Sequence, residues 1–360
     1  MVAVLAVFLG SVAAATLLLW IWSPGTLRPV VDEAGQPSPQ GLAEKRPVVL
    51  NGVDQWLIIK SHDRGNPLLL YLHGGMPDYF LTQDFPTGME RHFTVVWWDQ
   101  RGAGLSFRAG MTADAVSTEQ LVDDALRLAR DLCDRFGQER IYLMGHSGGT
   151  VIGALAACRE PELFHAYIGV AQITDQLRSE ALARDFMLAA CRASGHRRMA
   201  RRLERVPPLD RIPLPDDWMA IRDKAMHRLG VGTMREIRSV GRGLFLRSLR
   251  NREFTMAEKL RMWRGKAMLG YPIWNDILGR DLTRDVPRLN LPVYLLHGVH
   301  DHTVSYPLAQ RYFARLDAPV KGFYSFARSA HSPLFEEPQR FRTILTRDVL
   351  TGTVSLADCA

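Results

Sequence analysis

The stretch Ile141-Tyr142-Leu143-Met144-Gly145-His146-Ser147-Gly148-Gly149-Thr150 decides the fold. A short apolar run that reads as a buried strand enters Gly-x-Ser-x-Gly, and helical text begins near Gly148 and continues through residues 151–158. A serine between a strand and a helix stands on a sharp, strained turn that exposes its Oγ. The small residues two before and two after it, Gly145 and Gly149, let strand and helix approach closely. The same five residues in a plain glycine-rich loop carry no such meaning. The strand and helix on either side make Ser147 a candidate nucleophile.

Outward from this turn, short apolar runs recur at residues 67–72, 93–98, 166–170, 293–296 and 322–326, each rich in branched or aromatic side chains. They read as buried strands. Between them, residues 118–136 place Leu121, Ala125, Leu128, Leu132 and Phe136 at helical spacing, and residues 308–316 are also helical. Strand–helix alternation of this kind predicts an α/β fold with an open, mostly parallel sheet flanked by helices. One segment breaks the pattern. Residues 175–280 are helical and carry 23 Lys and Arg against 12 Asp and Glu, a net of +11 that leaves −4 for the rest of the chain. Pro207, Pro208, Pro213 and Pro215 interrupt this segment, which reads as an inserted helical cap. The expected division is a segment over 1–22, a linker over 23–46, a core over 47–174 and 286–348, a cap over 175–285 and a tail over 349–360.

A serine hydroxyl needs a histidine to take its proton. His331 follows the strand at 322–326 by a short loop and precedes Ser332-Pro333, where a proline can open a helix. His146 adjoins the nucleophile but is expected to project away from it. His73, His297, His300 and His302 fall at strand ends and read as structural. The acid that orients the base should end the preceding strand, where Asp301 follows Gly298 by three residues. Asp175, beyond the strand ending near Val170, is the alternative, and Asp99 is expected to brace its own loop. The order Ser147, Asp301, His331 differs from the orders of chymotrypsin and subtilisin. Two convergent N–H donors for an oxyanion are expected from Gly148, after the nucleophile, and from Gly75 in the turn His73-Gly74-Gly75.

With His73-Gly74-Gly75, Asp99-Gln100-Arg101-Gly102-Ala103-Gly104-Leu105-Ser106 and Gly145-His146-Ser147-Gly148-Gly149-Thr150 in place, the chain resembles the α/β-hydrolase superfamily. Within it the chain is similar to the branch related to proline iminopeptidases, whose D-Q-R-G-x-G-x-S the second motif matches. The resemblance covers roughly residues 47–348 and implies a cap between the sixth and seventh core strands. It departs from that branch where Met76-Pro77 follows the two glycines and where Gly148 replaces a tryptophan. In such peptidases cap glutamates bind the substrate's amine; Glu180, Glu236 and Glu258 are the candidates here, though a cap of +11 attracts cations poorly.

The four cysteines show no metal or disulfide spacing, and no metal or cofactor is implied. The net charge of +7 comes with no helix-turn-helix, RNP or finger pattern, so no nucleic-acid partner is expected. Nothing in the sequence sets an oligomeric state. Residues 1–22 carry no charge and are long enough to span a bilayer, so a membrane anchor is expected, with a cleaved signal as its rival. Arg28, Lys45 and Arg46 after it favour the cytoplasmic side for the body of the chain. The expected activity is a membrane-anchored serine hydrolase acting on a small ester or amide, foremost an acyl ester. A basic cap containing Trp218, Phe245, Trp263 and Trp274 suits a lipid-like or anionic substrate. Cleavage of proline-like amino termini is the alternative, and a non-catalytic ligand-binding protein on the same fold is a third. A serine at the turn, where dehalogenases and epoxide hydrolases carry aspartate, points to an acyl-enzyme route.

Overall fold

The computed structural model describes residues 2–31 and 35–359. Its centre is an eight-stranded sheet: β1 (Leu42–Leu50), β2 (Val53–Ser61), β3 (Leu68–Leu72), β4 (Thr94–Asp99), β5 (Ile141–His146), β6 (Phe164–Val170), β7 (Val293–Gly298) and β8 (Lys321–Phe326). The spatial order is β1-β2-β4-β3-β5-β6-β7-β8. The β1–β2 and β2–β4 pairs are antiparallel and every later pair is parallel. Period-two alternation sends Leu70, Leu72, Leu143 and Leu295 to one face and Leu69, Tyr71, Met144 and Leu296 to the other. Both faces are covered, which is why the parallel strands read as continuous apolar runs.

On the first face lie α2 (Thr118–Phe136), α3 (Gly148–Arg159) and, beyond β7, α11 (Tyr306–Arg315). The α2 stripe foreseen from Leu121 to Leu132 is buried there, and the helix opens on a capping box in which Ser117 accepts from the Gln120 N–H. Between β6 and β7 the chain forms α4 (Gln176–Ala193), α5 (Arg197–Glu204), α6 (Asp216–Met219), α7 (Arg222–Leu229), α8 (Leu246–Arg250), α9 (Met256–Leu278) and α10 (Leu282–Asp285). Met187, Leu203, Trp218, Ile221 and Ala225 give these helices a core of their own. After β8 come α12 (Pro333–Glu336) and α13 (Pro338–Ile344).

Two features of the amino-terminal region differ from expectation. Strand β1 begins at Leu42, inside the stretch read as linker, and pairs with β2 through a turn in which Asn51 (φ 46°) and Gly52 (φ 77°) both take left-handed backbone. Asn-Gly between two strands is the preferred sequence for that turn. The residues before it are half-exposed and include Pro47, as an edge strand permits, so they lack the apolar run that marks the other strands. Residues 2–21 form α1 (Val2–Ile21), yet among the described residues no helix is long and apolar enough to cross a membrane. A span needs about 20 consecutive apolar residues. The transmembrane anchor, the membrane localisation and the membrane partner are therefore withdrawn.

The branch-specific motif braces the sheet. Arg101 donates from Nε and Nη2 to the two carboxylate oxygens of Asp124 on α2, at 2.7 and 2.9 Å. Gln55 and Asn51 donate to the same carboxylate at 2.6 and 2.8 Å. Asp124 is fully buried, so this pairing binds the β1–β2 hairpin, the loop after β4 and α2 to one point. Asp124→Ala strands the buried guanidinium without a counter-charge. It is expected to lower stability in urea denaturation by about 3–5 kcal/mol; a loss below about 1 kcal/mol would show the pair to be marginal.

Candidate active site

Ser147 follows β5 with φ 56° and ψ −123°, a backbone that a side-chain-bearing residue adopts only under constraint. Its N–H donates to the Val170 carbonyl at 3.0 Å, tying the turn to β6. Crowding imposes the rest. A Cβ on Gly145 would lie 2.4 Å from the Gly149 carbonyl oxygen, and one on Gly149 only 2.1 Å from that of Leu72. A Cβ on Gly74 would meet the Ser147 Cβ at 2.6 Å, so the turn after β3 passes directly against the serine.

That turn is locked by His73. Its Nδ1–H donates to the Gly74 carbonyl at 2.8 Å, and Nε2 accepts from the Gln100 N–H at 3.3 Å. The Gln100 side chain donates to the His73 carbonyl at 2.9 Å. Burial lowers the His73 pKa to about 4, which keeps the ring neutral and both bonds intact. Asp99 accepts from the Leu105 N–H at 2.7 Å and so braces its own loop, as expected. Gly75 lines the cavity above Ser147, while Gly148 opens α3, where its N–H has no carbonyl one turn back to bond.

His331 lies in the loop after β8, and its Nδ1 is 2.8 Å from Asp301 Oδ2. Asp301 is 2% exposed and also accepts the Thr303 and Val304 N–H groups on Oδ1, at 2.8 and 2.9 Å. His297, at the end of β7, brings Nε2 to 3.2 Å from Oδ2. Burial alone would raise the Asp301 pKa, but His331 and His297 together hold it well below the carboxylate range. For His331, burial outweighs the carboxylate and lowers its pKa below the usual 6.5. The loop carrying it is fixed by Glu336, which accepts from the Ala330 N–H at 2.8 Å, and by Glu337, which accepts from Ser329 Oγ at 2.8 Å. Gly298 is required beneath it, because a Cβ there would stand 1.9 Å from the Ala330 carbonyl oxygen.

A cavity of about 270 Å³ contains Ser147, His331, Gly74 and Gly75 on the sheet side and Arg222, Asp223, Trp263, Lys266 and Trp274 on the cap side. Asp175 is absent from it. That residue caps α4 by accepting from the Arg178 N–H at 3.0 Å. The cap glutamates are also elsewhere: Glu180 is fully buried on Arg222 and Trp218, Glu258 holds Lys45, and Glu236 faces Arg247 at 3.8 Å. Of the four cap aromatics, Trp263 and Trp274 line the cavity, Trp218 is core, and Phe245 packs edge-on against Trp263.

One residue at the site stands where the sequence reading did not place it, and another carried no signal there. His146 does not project away: it lines the cavity, its Nε2–H donates to the His331 carbonyl at 3.0 Å, and the two rings are 5.0 Å apart. Its Nδ1 is 3.0 Å from Asp78 Oδ2, which also accepts from Tyr71 Oη at 2.7 Å. A carbonyl only accepts, so Nε2 carries one proton, and a second on Nδ1 makes the contact with Asp78 attractive. Burial pulls the His146 pKa down, but Asp78 and the His331 carbonyl outweigh it, and the net direction is upward. Period two could have placed His146, since it shares a face with Met144 and Tyr142. Asp78 lies in no motif.

Residues 66–338 match the family described as Hydrolase_4, serine aminopeptidase S33. The chain belongs to this family. It is 25% identical over 321 residues to a probable aminopeptidase, YbaC, of Bacillus subtilis (strain 168), covering 86% of this chain and 98% of that one. Among solved structures, VinJ superposes with a TM-score of 0.63 at 18% identity over 86% of this chain and 99% of its own. The proline iminopeptidase of Mycobacterium smegmatis gives 0.62 at 18% identity, covering 86% and 98%. The α/β-hydrolase resemblance thus holds for the fold, and the chain is an enzyme of the serine aminopeptidase family.

The lowered pKa of His331 has a direct consequence. A general base must be neutral, so kcat/KM on an uncharged ester is expected to fall as pH drops through a midpoint below 6.5, with Asp301 ionised throughout. A midpoint above 7 in the measured pH profile would exclude His331 as that base.

Proposed function

We propose that the chain hydrolyses a small amide or ester through an acyl-enzyme, with Ser147 as nucleophile, His331 as base and acid, and Asp301 holding the imidazole. The observation that carries this is the strained Ser147 sharing one cavity with a histidine whose far nitrogen is tied to a buried carboxylate. Ser147 Oγ bonds to the acyl carbon as its proton passes to His331 Nε2. The carbonyl electrons collect on oxygen, to which the N–H groups of Gly75 and Gly148 donate hydrogen bonds. As the tetrahedral centre collapses, the bond to the leaving nitrogen or oxygen breaks and His331 returns the proton to it. Water then gives a proton to His331, attacks the acyl group, and releases Ser147 with its hydrogen restored.

Regarding the substrate, the cap's charge supports a lipid-like ester less than the sequence did. Arg222 is neutralised by Glu180 and Asp223, at 2.6 and 2.7 Å, and most other cap arginines lie outside the cavity lining. Together with the family, this favours an amide beside a short acyl group, with simple esters as activated substrates of the same site.

A fluorophosphonate is expected to label the full chain at Ser147 and to leave a folded Ser147→Ala variant unlabelled. Equal labelling of both would remove the assignment and favour a ligand-binding protein. Asp301→Asn is expected to lower kcat on p-nitrophenyl butyrate by about 10³–10⁴-fold, while Asp175→Asn leaves it near wild type; the reverse ranking in steady-state kinetics would move the acid's role to Asp175.

A further inference from the structure

Between α7 and α8, residues 231–239 form neither helix nor strand. They nonetheless border the cavity, whose wall includes Gly232 and Thr233. A tight turn seats them. The Ile237 N–H donates to the Met234 carbonyl at 3.2 Å, and the buried side chains at both ends of the turn, Met234 and Ile237, join the apolar cluster that also holds Leu334 and Phe335 of α12. Arg235, second in the turn, has an exposed side chain and donates its N–H to Glu336 Oε1 at 2.6 Å.

Glu336 Oε2 accepts from the N–H of Ala330, the residue before His331, at 2.8 Å. One half-buried carboxylate thus has one oxygen on the cap and the other on the loop that carries the base. His146 and Glu337 hold the same loop from the core. Glu336 adds the cap. Resting on the acyl-transfer reading above, we propose that Glu336 is a positioning residue through which the seating of the turn from Met234 to Ile237 sets the place of His331. The base is aligned with Ser147 only while this part of the cap is docked, so the cap belongs to the mounting of the base as well as to the wall of the cavity.

The chemistry of the contact suits that duty. Hydrogen bonds to an ionised acceptor are roughly twice as strong as neutral ones, and a carboxylate presents an acceptor to both N–H groups at once. A glutamine in its place turns an NH2 toward one of the two donors, so either the cap or the loop loses its partner. Burial and the Asp301 charge raise the Glu336 pKa to about 7, although the N–H groups of Arg235, Ala330 and Ser332 pull it down. At about pH 8.5 the carboxyl is therefore ionised and the tether complete, and His331 is neutral there as well. Loss of the tether reaches the chemistry because a displacement of about 1 Å at a catalytic group can cost about 100-fold in rate.

The test uses the full chain at about pH 8.5 with p-nitrophenyl butyrate, and rates are expressed per serine titrated by a fluorophosphonate so that unfolded protein does not count. Arg235→Pro removes the cap's N–H at a turn position where proline is favoured, and Arg235→Ala removes the same side chain but keeps the N–H. The proline variant is expected to show a kcat at least about tenfold below that of the alanine variant, with KM within about threefold. Glu336→Gln should lose kcat to a similar extent. The double variant Arg235→Pro/Glu336→Gln should be no slower than the slower single variant, because both changes break one tether. A proline variant as fast as the alanine variant, or losses that multiply in the double variant, would overturn the proposal. So would a Glu336→Gln enzyme with the wild-type kcat, which decides the matter alone if the proline variant does not fold. A purely stabilising role would give that last result, lowering the fraction of titratable serine and leaving kcat per site unchanged. A failure of the acyl-transfer reading is distinguishable, because it would appear as absent fluorophosphonate labelling of Ser147 in the wild type.

Discussion

The carbonyl oxygen of Leu72 and the α-carbon of Gly149 are so close that no side chain fits between them. Strand β3, strand β5 and helix α3 meet at that contact, and the left-handed backbone of Ser147 is its consequence. Because β3 ends there, the glycine turn behind it is pressed against the serine, and one crowded junction sets both the nucleophile and the loop that faces it. The strain is tolerable because it is fastened on both sides. The Ser147 N–H is fixed to β6, and the turn is fixed by the His73–Gln100 exchange, which draws in the loop after β4 and through Arg101 the helix α2. The motif from Asp99 to Ser106 therefore contributes to the site from a distance, by holding still what the substrate would touch.

Two histidines stand side by side, each with its own buried carboxylate. Asp301 faces His331 Nδ1 and Asp78 faces His146 Nδ1, at 2.8 and 3.0 Å. Their environments drive the two rings in opposite directions: burial dominates for His331, and hydrogen bonds dominate for His146. Of the two, His331 is the ring whose surroundings favour the neutral, proton-accepting form. The bond from His146 to the His331 carbonyl also fixes the backbone of its neighbour.

The parts of this arrangement that were legible in the sequence are those that chain order encodes. Gly145, Gly149 and their strand and helix are contiguous, and a buried parallel strand advertises itself as an apolar run. Asp301 and His331 each follow a strand in the order the fold demands. What stayed hidden depends on the third dimension or on a weaker local code. The hairpin of β1 and β2 alternates poorly because its edge is half-exposed, and its best signal was the pair Asn51-Gly52. Asp78 is one of 38 acidic residues with nothing local to mark it, and its importance exists only where Tyr71 and His146 converge on it.

The same distinction explains the cap's charge. Counted along the chain, an excess of +11 suggests a surface that gathers anions. In space, much of it serves as fastening. Lys259, fully buried, donates to the carbonyls of Trp22 and Leu249 and to Ser23 Oγ, at 2.7, 2.7 and 2.9 Å, and so stitches the segment after α1 to the cap. From the core, Lys45 reaches the carbonyls of Gly25 and Glu253 and the Glu258 carboxylate. Arg222 is enclosed by Glu180 and Asp223. Each cation spent on such a bond is unavailable to a ligand. The field inside the cavity is consequently set by the few groups on its wall, and net charge over a hundred residues is a poor guide to it.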